Sequence, residues 1–152
     1  PAAENLRDRI VSFLTNNCIG TLATCTDNIP RATPVRYKNK ELDVYILTEG
    51  GGKLYNVERN PEVSFSVYGN YSGFKTVRGL QMWGTAELIS GEAAQAYADA
   101  YAFLNLDERS DLKDIDLNNI RTDMYFIIIK PRRIRFLSFP QGILNEELVP
   151  DA

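Results

Sequence analysis

Residues 31–60, RATPVRYKNKELDVYILTEGGGKLYNVERN, decide the fold that the sequence predicts. Apolar and polar residues alternate over residues 31–37 and again over residues 44–48, with the period of two that is typical of β-strands. The polar residues 38–41 between these strands predict a tight turn in which Asn39 takes a left-handed conformation. The segment therefore predicts a β-hairpin, after which a glycine-rich loop leads into a short helix.

The glycine-rich loop has the composition of an anion site. Gly51 and Gly52 carry no side chain that would keep a ligand from the backbone, and N–H groups at the start of a helix favour negative charge. Lys53 adds a full positive charge, and Arg31 and Arg36 add two more from the first strand of the hairpin. The sequence therefore predicts a phosphate site beside a β-barrel wall, at which the three cations converge.

A simpler interpretation of the same loop is a flexible turn, which is the usual role of successive glycines at a strand end. The loop is not a nucleotide-hydrolysing P-loop, because Leu47 stands where the leading glycine belongs. Leu54 follows the lysine, so the hydroxyl that would hold magnesium is missing. The phosphate interpretation depends on the whole arrangement of strand, loop and helix.

Length and composition limit the possible functions. The chain has 152 residues, which suits a single domain over residues 1–152. Its net charge of −3 implies no general attraction to nucleic acid or to a membrane. The absence of histidine excludes Ser-His-Asp catalysis and histidine-bound zinc or haem, and no metal site is expected. Redox or transfer chemistry would therefore need a bound organic cofactor.

The two cysteines bear on the cellular compartment in which the protein is expected, because disulfides form in oxidising compartments. Cys18 and Cys25 lie on one predicted strand at an odd separation, so they point to opposite faces and are not expected to form a disulfide. The sequence shows no signal peptide and no apolar run of about 18 residues. These features favour a reducing cytoplasm.

The remaining chain predicts an α+β fold that is mainly β. Helices are expected at residues 2–16, at residues 54–59 after the third strand, and near residues 91–104. Strands are expected, besides the two already named, at residues 18–26, 62–68, 75–90, 124–130 and 132–139. Pro131 is expected to separate the last two strands, residues 105–123 to form a loop with short helical turns, and the tail from residue 140 to be peripheral.

Taken together, these features resemble the FMN-binding split β-barrel superfamily, the flavoproteins like pyridoxamine 5'-phosphate oxidase. The resemblance is carried by residues 20–24, 30–37, 46–48, 53, 56–63 and 84–87. It covers residues 5–90, with a weaker match at the C-terminal strands, and its specificity lies in the order and spacing of the segments. It implies a split antiparallel β-barrel of six to seven strands.

The resemblance also implies a cofactor, FMN, and the residues that bind it. The phosphate and ribityl chain would be held by the basic residues of the second strand, the threonine that ends the third and the lysine of the next helix, which are Arg31, Arg36, Thr48 and Lys53. The isoalloxazine ring would lie along the backbone of the second strand, with a leucine beside it, at Thr33, Pro34, Val35 and Leu47.

The family binds FMN between two subunits, so the resemblance implies a homodimer. The long strand around residues 78–83 and the C-terminal strand would then contribute to the partner's cleft. Gln81 and Trp83 on that strand are further candidates for contact with the flavin. A buried tryptophan is, however, more often part of a core.

Departures from the oxidase itself leave the substrate open. The Tyr-x-x-x-Arg-x-x-x-Ser arrangement that holds pyridoxal phosphate has no match, and the C-terminal Arg-x-His cannot exist without histidine. Vitamin B6 oxidation is therefore not expected. The favoured function is an FMN-dependent oxidoreductase that acts on a small-molecule electron donor or acceptor, with catalytic residues unknown.

Two alternatives remain from the sequence. One is a module that binds or carries flavin, or the deazaflavin F420, without catalysis. The other is a cofactor-free barrel that binds single-stranded nucleic acid through aromatic and basic residues, namely Phe65, Tyr68, Tyr71, Phe74, Lys75 and Arg78. The balanced charge argues against the second, because such proteins carry a broad basic surface.

Overall fold

The computed structural model of the chain describes residues 5–114 and 124–150. Eight strands in this part form one antiparallel sheet: β1 (Ile19–Thr26), β2 (Ile29–Arg36), β3 (Lys38–Lys40), β4 (Asp43–Thr48), β5 (Glu62–Tyr68), β6 (Arg78–Ile89), β7 (Tyr125–Ser138) and β8 (Ile143–Leu148). The helices are α1 (Leu6–Thr15), α2 (Gly52–Arg59) and α3 (Ala94–Leu104). The expected class, α+β and mainly β, is confirmed.

The order of the strands shows how the sheet becomes a barrel. It runs β2-β1-β5-β6-β7-β4-β3, and β8 pairs with the C-terminal part of β7. The two ends of this order, β2 and β3, are consecutive in the chain with only Tyr37 between them. The sheet therefore curls until its ends meet at Tyr37. β2 and β4 are not neighbours in the sheet, and the opening between them is the split of the barrel.

The barrel interior is filled by the inward-facing residues of the longer strands. These fully buried side chains include Leu22, Val44, Ile46, Phe65, Leu80, Met82, Ile127, Ile129, Ile134 and Phe136. Helix α1 adds Ile10, Phe13 and Leu14 to this core, and the Phe13 ring lies 5.2 Å from the Phe136 ring. Burial of each large apolar side chain contributes roughly 1.5–3 kcal/mol, so this core is the main source of stability.

A second, smaller core lies on the outer side of the sheet, under α3. Tyr97 and Ala100 of the helix pack on Ile89, Phe126 and Ile128. The rings of Tyr97 and Phe126 are 5.0 Å apart and nearly perpendicular, which is a favourable aromatic geometry. Tyr45 and Leu47 of β4 pack against this second core, so α3 also covers part of the outer face of β4.

The hairpin expected between residues 31–37 and 44–48 is wrong in its pairing. β2 pairs with β1 through a two-residue turn at Asp27 and Asn28, where φ is 54° and 61°. β4 pairs instead with β7 and with the short strand β3.

Tyr37 explains the altered pairing. Its side chain is buried, and its hydroxyl donates a hydrogen bond of 2.7 Å to the carbonyl oxygen of Leu14. The chain therefore crosses from one end of the sheet to the other at this residue. The tight turn follows β3 and is made by Glu41, with φ 54°, and not by Asn39, which lies within β3.

Pro131 does not separate two strands, because β7 is continuous from Tyr125 to Ser138. Pro131 lies opposite Gly84, and the next pair is Arg133 with Trp83, so the ladder shifts register at this point. A proline lacks the N–H that a regular ladder needs, and a bulge accommodates it without ending the strand.

The C-terminal tail is also more ordered than expected from the sequence. Residues 143–148 form β8, whose Ile143 is buried and joins the main core. Arg135 of β7 donates a hydrogen bond of 3.1 Å to Glu147 of β8. Within residues 105–114 the structure has short 3-10 turns at Leu106–Glu108 and Ser110–Leu112, and the rest of the expected loop, 115–123, lies outside the described residues.

Candidate functional site

The glycine-rich loop connects the end of β4 to the start of α2 at the split of the barrel. Gly50 and Gly51 have φ of 126° and 96°, a region that side chains rarely permit. The Gly50 N–H donates to Thr48 Oγ1 at 3.4 Å, and the Thr48 side chain is buried. Thr48 thus anchors the loop from inside the barrel.

Helix α2 is held against β1 by its own polar residues. Asn56 is buried and donates from Nδ2 to Thr24 Oγ1 at 2.9 Å. Asn60 donates from Nδ2 to the carbonyl oxygen of Cys25 at 3.0 Å. These bonds fix the position of the helix, and therefore the direction of the free N–H groups at its N-terminus.

Arg31 of β2 lies directly against this loop. A Cβ atom added at Gly52 would lie 2.2 Å from Arg31 Cζ, so the guanidinium occupies the space that any other residue would fill. Among the residues that the structure describes, none forms an ion pair with Arg31. A cation without a counterion beside a helix N-terminus is electrostatically unfavourable. The arrangement suits an anion.

Lys53 adds a second positive charge at the same loop. Its ammonium donates to the carbonyl oxygen of Gly50 at 3.2 Å and is partly buried. No carboxylate in the described part of the chain lies within ion-pair distance of it. Arg31, Lys53 and the first N–H groups of α2 together form a surface that we call the cradle, and it fits a phosphate group.

Arg36, the third expected cation, lies elsewhere. It is five residues from Arg31 on the same strand, which corresponds to about 17 Å, and an odd separation directs it to the opposite face. Arg36 lines a cavity of about 530 Å³ on the outer side of the barrel. One phosphate group in this chain therefore does not contact both arginines, and the structure brings only Arg31 and Lys53 to one place.

The backbone between the two arginines forms a free edge. The hydrogen bond from the Tyr37 N–H to the Cys18 carbonyl sets the alternation of the β1–β2 ladder. By that alternation, Ala32 and Pro34 direct their backbone groups away from β1. Thr33 is half-buried and Val35 is buried, on the inward side. The edge offers the Ala32 N–H and carbonyl oxygens to a planar polar ring.

Gln81 and Trp83 lie on the outer face of β6, far from this edge in the same chain. Pro34, Thr21, Ser66 and Gln81 are successive neighbours across four strands, which places Gln81 about 14 Å from β2. Gln81 is exposed, and Trp83 is half-buried beneath the Arg133 guanidinium, 4.0 Å from its ring centroid.

Apart from Arg36 itself and Leu47, the cavity next to Arg36 is lined by residues that the sequence did not single out as site residues. Its walls come from the end of α1, from β2 to β4 and from the chain after α3, and they include Cys18, Lys38, Tyr45, Leu47, Leu104, Glu108 and Arg109. Arg109 donates from Nε to Asp111 Oδ1 at 3.0 Å, and this hydrogen bond lowers the pKa of Asp111. Tyr37 also lines the cavity, and burial raises the pKa of its hydroxyl. No local motif joins these distant segments, so no sequence pattern could have revealed them.

The described residues also bear on the expected disulfide, metal, membrane and nucleic-acid features. Cys18 and Cys25 are both free thiols. Across residues 5–114 and 124–150, no three potential metal ligands come together, and no helix is long and apolar enough to cross a membrane. Phe65 is fully buried, so the aromatic surface proposed for nucleic acid loses one of its four rings.

Comparison with known proteins gives the same fold. Residues 6–138 match the family model described as pyridoxamine 5'-phosphate oxidase. No curated protein matches the chain in sequence. A conserved hypothetical protein from Mycobacterium tuberculosis is similar in structure, with a TM-score of 0.71, 22% identity, and coverage of 99% of this chain and 94% of that one.

Two further solved structures share the fold at similar identity. A FAD-binding protein from Mesorhizobium loti has a TM-score of 0.65 and 22% identity, covering 87% of this chain and 92% of that one. A haem-binding protein from Mycobacterium smegmatis has a TM-score of 0.60 and 20% identity, covering 90% of this chain and 55% of that one. The family model runs from the start of α1 to the end of β7, and the chain therefore belongs to the pyridoxamine 5'-phosphate oxidase family.

Proposed function

We propose that the protein binds FMN at the split of the barrel and acts as an FMN-dependent oxidoreductase on a small-molecule electron donor or acceptor. The observation that carries the proposal is the cradle, where Arg31 and Lys53 lie at the N-terminus of α2 without a carboxylate partner in the described residues. A phosphate dianion neutralises the charges of Arg31 and Lys53, and its oxygens accept hydrogen bonds from the free N–H groups of α2. Family membership and the FAD-binding neighbour support a flavin as the molecule that carries it.

The other residues then have separate roles. The free backbone groups of Ala32 and Pro34, within the stretch of β2 that includes Thr33 and Val35, position the isoalloxazine ring, and Leu47 supplies an apolar contact beside it. Thr48 keeps the loop in place, and Gly51 and Gly52 permit the close approach. When bound, the flavin supplies hydride or electron transfer, which the protein's side chains cannot. The site lacks the family's pyridoxal phosphate residues, so we do not propose vitamin B6 oxidation.

We propose further that the functional unit is a homodimer. The outer faces of β2, β1 and β5 carry only small side chains in their central rows, namely Thr21, Ala23, Ala32, Pro34, Ser64 and Ser66. Such a face permits the close approach of a second sheet. Gln81 and Trp83 lie beside it and would reach the flavin of the partner subunit. The two free thiols agree with a reducing cytoplasm, which we propose as the compartment.

The second candidate function is a module that binds or carries FMN or F420 without turnover. It uses the same cradle, because both cofactors carry phosphate. Haem is a weaker candidate, although one structural neighbour binds it, because the chain has no histidine to serve as an axial ligand.

Reconstitution tests this proposal. The purified protein is unfolded, stripped of small molecules, refolded and incubated with FMN, riboflavin, F420 or haem, and the retained cofactor is identified by mass spectrometry. We expect retention of FMN in preference to the others. Turnover with reduced nicotinamide and general electron acceptors then separates an enzyme from a carrier. Failure to retain any flavin would overturn the proposal.

A further inference from the structure

The cavity beside Arg36 has the size of a ligand site. Its volume of about 530 Å³ lies within the range of small-molecule pockets, roughly 300–1,000 Å³. It is separated from the cradle by the length of β2, so it is a second recess at the same split of the barrel. We call it the Arg36 pocket; its lining includes the residues named above together with Leu106 and Leu112.

The charged groups at the pocket leave a net charge of one positive unit. Arg36, Lys38 and Arg109 are positively charged, whereas Glu108 and Asp111, which is hydrogen-bonded to Arg109, are negatively charged. The Lys38 ammonium also donates a hydrogen bond of 2.7 Å to the Phe103 carbonyl oxygen. Arg36 forms no ion pair within 4 Å in the described chain, but Asp111 lies near it: the Arg109 hydrogen bond and, to a smaller extent, the charge of Arg36 lower the pKa of Asp111.

Part of the pocket wall is apolar. Tyr45 and Leu47 project from the outer face of β4, and the segment after α3 supplies leucines. The members of this wall are Tyr45, Leu47, Leu104, Leu106 and Leu112. A guanidinium and an apolar wall in the same pocket suit a molecule with an anionic end and an apolar body.

We propose that the Arg36 pocket binds a small amphipathic monoanion, such as an aromatic carboxylate or sulfonate, with its anion on Arg36 and its apolar body on the Tyr45–Leu47 wall. The net charge of one positive unit at the pocket matches one negative charge, whereas a phosphate dianion would leave one charge unbalanced. Leu47 borders both this pocket and the proposed ring position. The ligand is therefore placed to react with the flavin, an assignment that rests on the proposed function.

Fluorescence titration with 8-anilinonaphthalene-1-sulfonate tests the pocket. The neutral analogue N-phenyl-1-naphthylamine has nearly the same apolar body without the anion, and serves as the matched probe. In the flavin-free protein, Arg36→Gln should weaken sulfonate binding about tenfold or more and change binding of the neutral probe less than about twofold. Arg36→Lys should retain most of the sulfonate affinity.

Two control variants separate this proposal from the cofactor assignment. Arg7→Gln removes an exposed arginine of α1 and should leave both probes unaffected. Lys53→Ala should leave sulfonate binding unchanged while it weakens FMN. If FMN does not bind but sulfonate binding still depends on Arg36, the proposal for the Arg36 pocket is supported and the flavin proposal is refuted.

Three outcomes would overturn the pocket. The first is sulfonate binding that is absent from the unsubstituted protein, or that is unchanged in Arg36→Gln. The second is an equal loss of affinity for both probes in Arg36→Gln, which would show that Arg36 does not recognise the sulfonate group. The third is full displacement of the sulfonate probe by FMN, which would show that the recess belongs to the cofactor itself.

Discussion

Gly52 shows at the scale of one residue how the site is built. It lies at the first position of α2, and the Arg31 guanidinium packs on its backbone. The sequence correctly indicated a glycine loop with basic neighbours, because composition and order are visible in it. It could not show which arginine lies at the loop, since that depends on the phase of β2 and on its pairing with β1.

Substitution Gly52→Ala should weaken FMN binding without unfolding the protein. The new Cβ would displace the end of a flexible arginine side chain and not the backbone, so we expect the free energy of unfolding to change by less than about 1 kcal/mol. The lost contact from Arg31 should cost up to about 1.5–3 kcal/mol of FMN affinity.

Isothermal titration with FMN and urea denaturation of the same variant measure both effects. Gly91→Ala is the matched control, because a Cβ at Gly91 meets open space. Equal FMN affinity in Gly52→Ala and the unsubstituted protein would show that Arg31 does not contribute to the cradle.

At the scale of elements, local periodicity predicted most strands, while the pairing depended on long-range contacts. The alternating pattern of residues 62–68 became β5 with its apolar residues inward. Pro131 was expected to end a strand because its missing N–H is a local signal, but the register shift opposite Gly84 was not visible in the sequence. The position of Tyr37 in the core, which redirects β3, was equally hidden.

The close packing at this bulge predicts a difference between two glycines of β6. A Cβ at Gly84 would lie 2.3 Å from the carbonyl oxygen of Lys130, which belongs to the backbone of β7 and cannot move alone. We expect Gly84→Ala to destabilise the protein by about 1–3 kcal/mol, the usual effect of overpacking.

Gly79→Ala is the control within the same strand. Its nearest atom is the Val67 carbonyl oxygen at 3.8 Å, which is ordinary contact, and we expect a change within about 1 kcal/mol. Urea denaturation of the two variants gives the comparison. Similar stabilities would mean that the bulge is looser than the structure shows.

At the scale of the whole molecule, the proposed homodimer would bring residues of a second chain to the proposed site. Within one chain, Gln81 and Trp83 are about 14 Å from the edge of β2 along the sheet, so they cannot contact a ring placed there. The small residues on the outer faces of β1, β2 and β5 leave room for a partner. The sequence indicated the proposed dimer only through the family resemblance, because a face of small residues carries no strong local signal.

A charge placed on this face should separate the subunits. Ser64 lies between Ala23 of β1 and Trp83 of β6, at the centre of the proposed interface. We expect the unsubstituted protein to have twice the 17.2 kDa of one chain by light scattering, and Ser64→Glu to have the mass of one chain. Ser12→Glu, on the exposed side of α1, should remain a dimer. A monomeric unsubstituted protein at micromolar concentration would contradict the dimer.

We propose that Arg31, Lys53 and the start of α2 bind the phosphate of a flavin. Riboflavin differs from FMN only in lacking that phosphate, so the ratio of the two affinities isolates the contribution of the cradle. We expect the unsubstituted protein to bind FMN at least about tenfold more tightly than riboflavin. Lys53→Ala should weaken FMN binding by about 1.5–3 kcal/mol and leave riboflavin unchanged. Lys75→Ala, an exposed lysine on a distant loop, should change neither. Equal affinities for FMN and riboflavin in the unsubstituted protein would contradict the account.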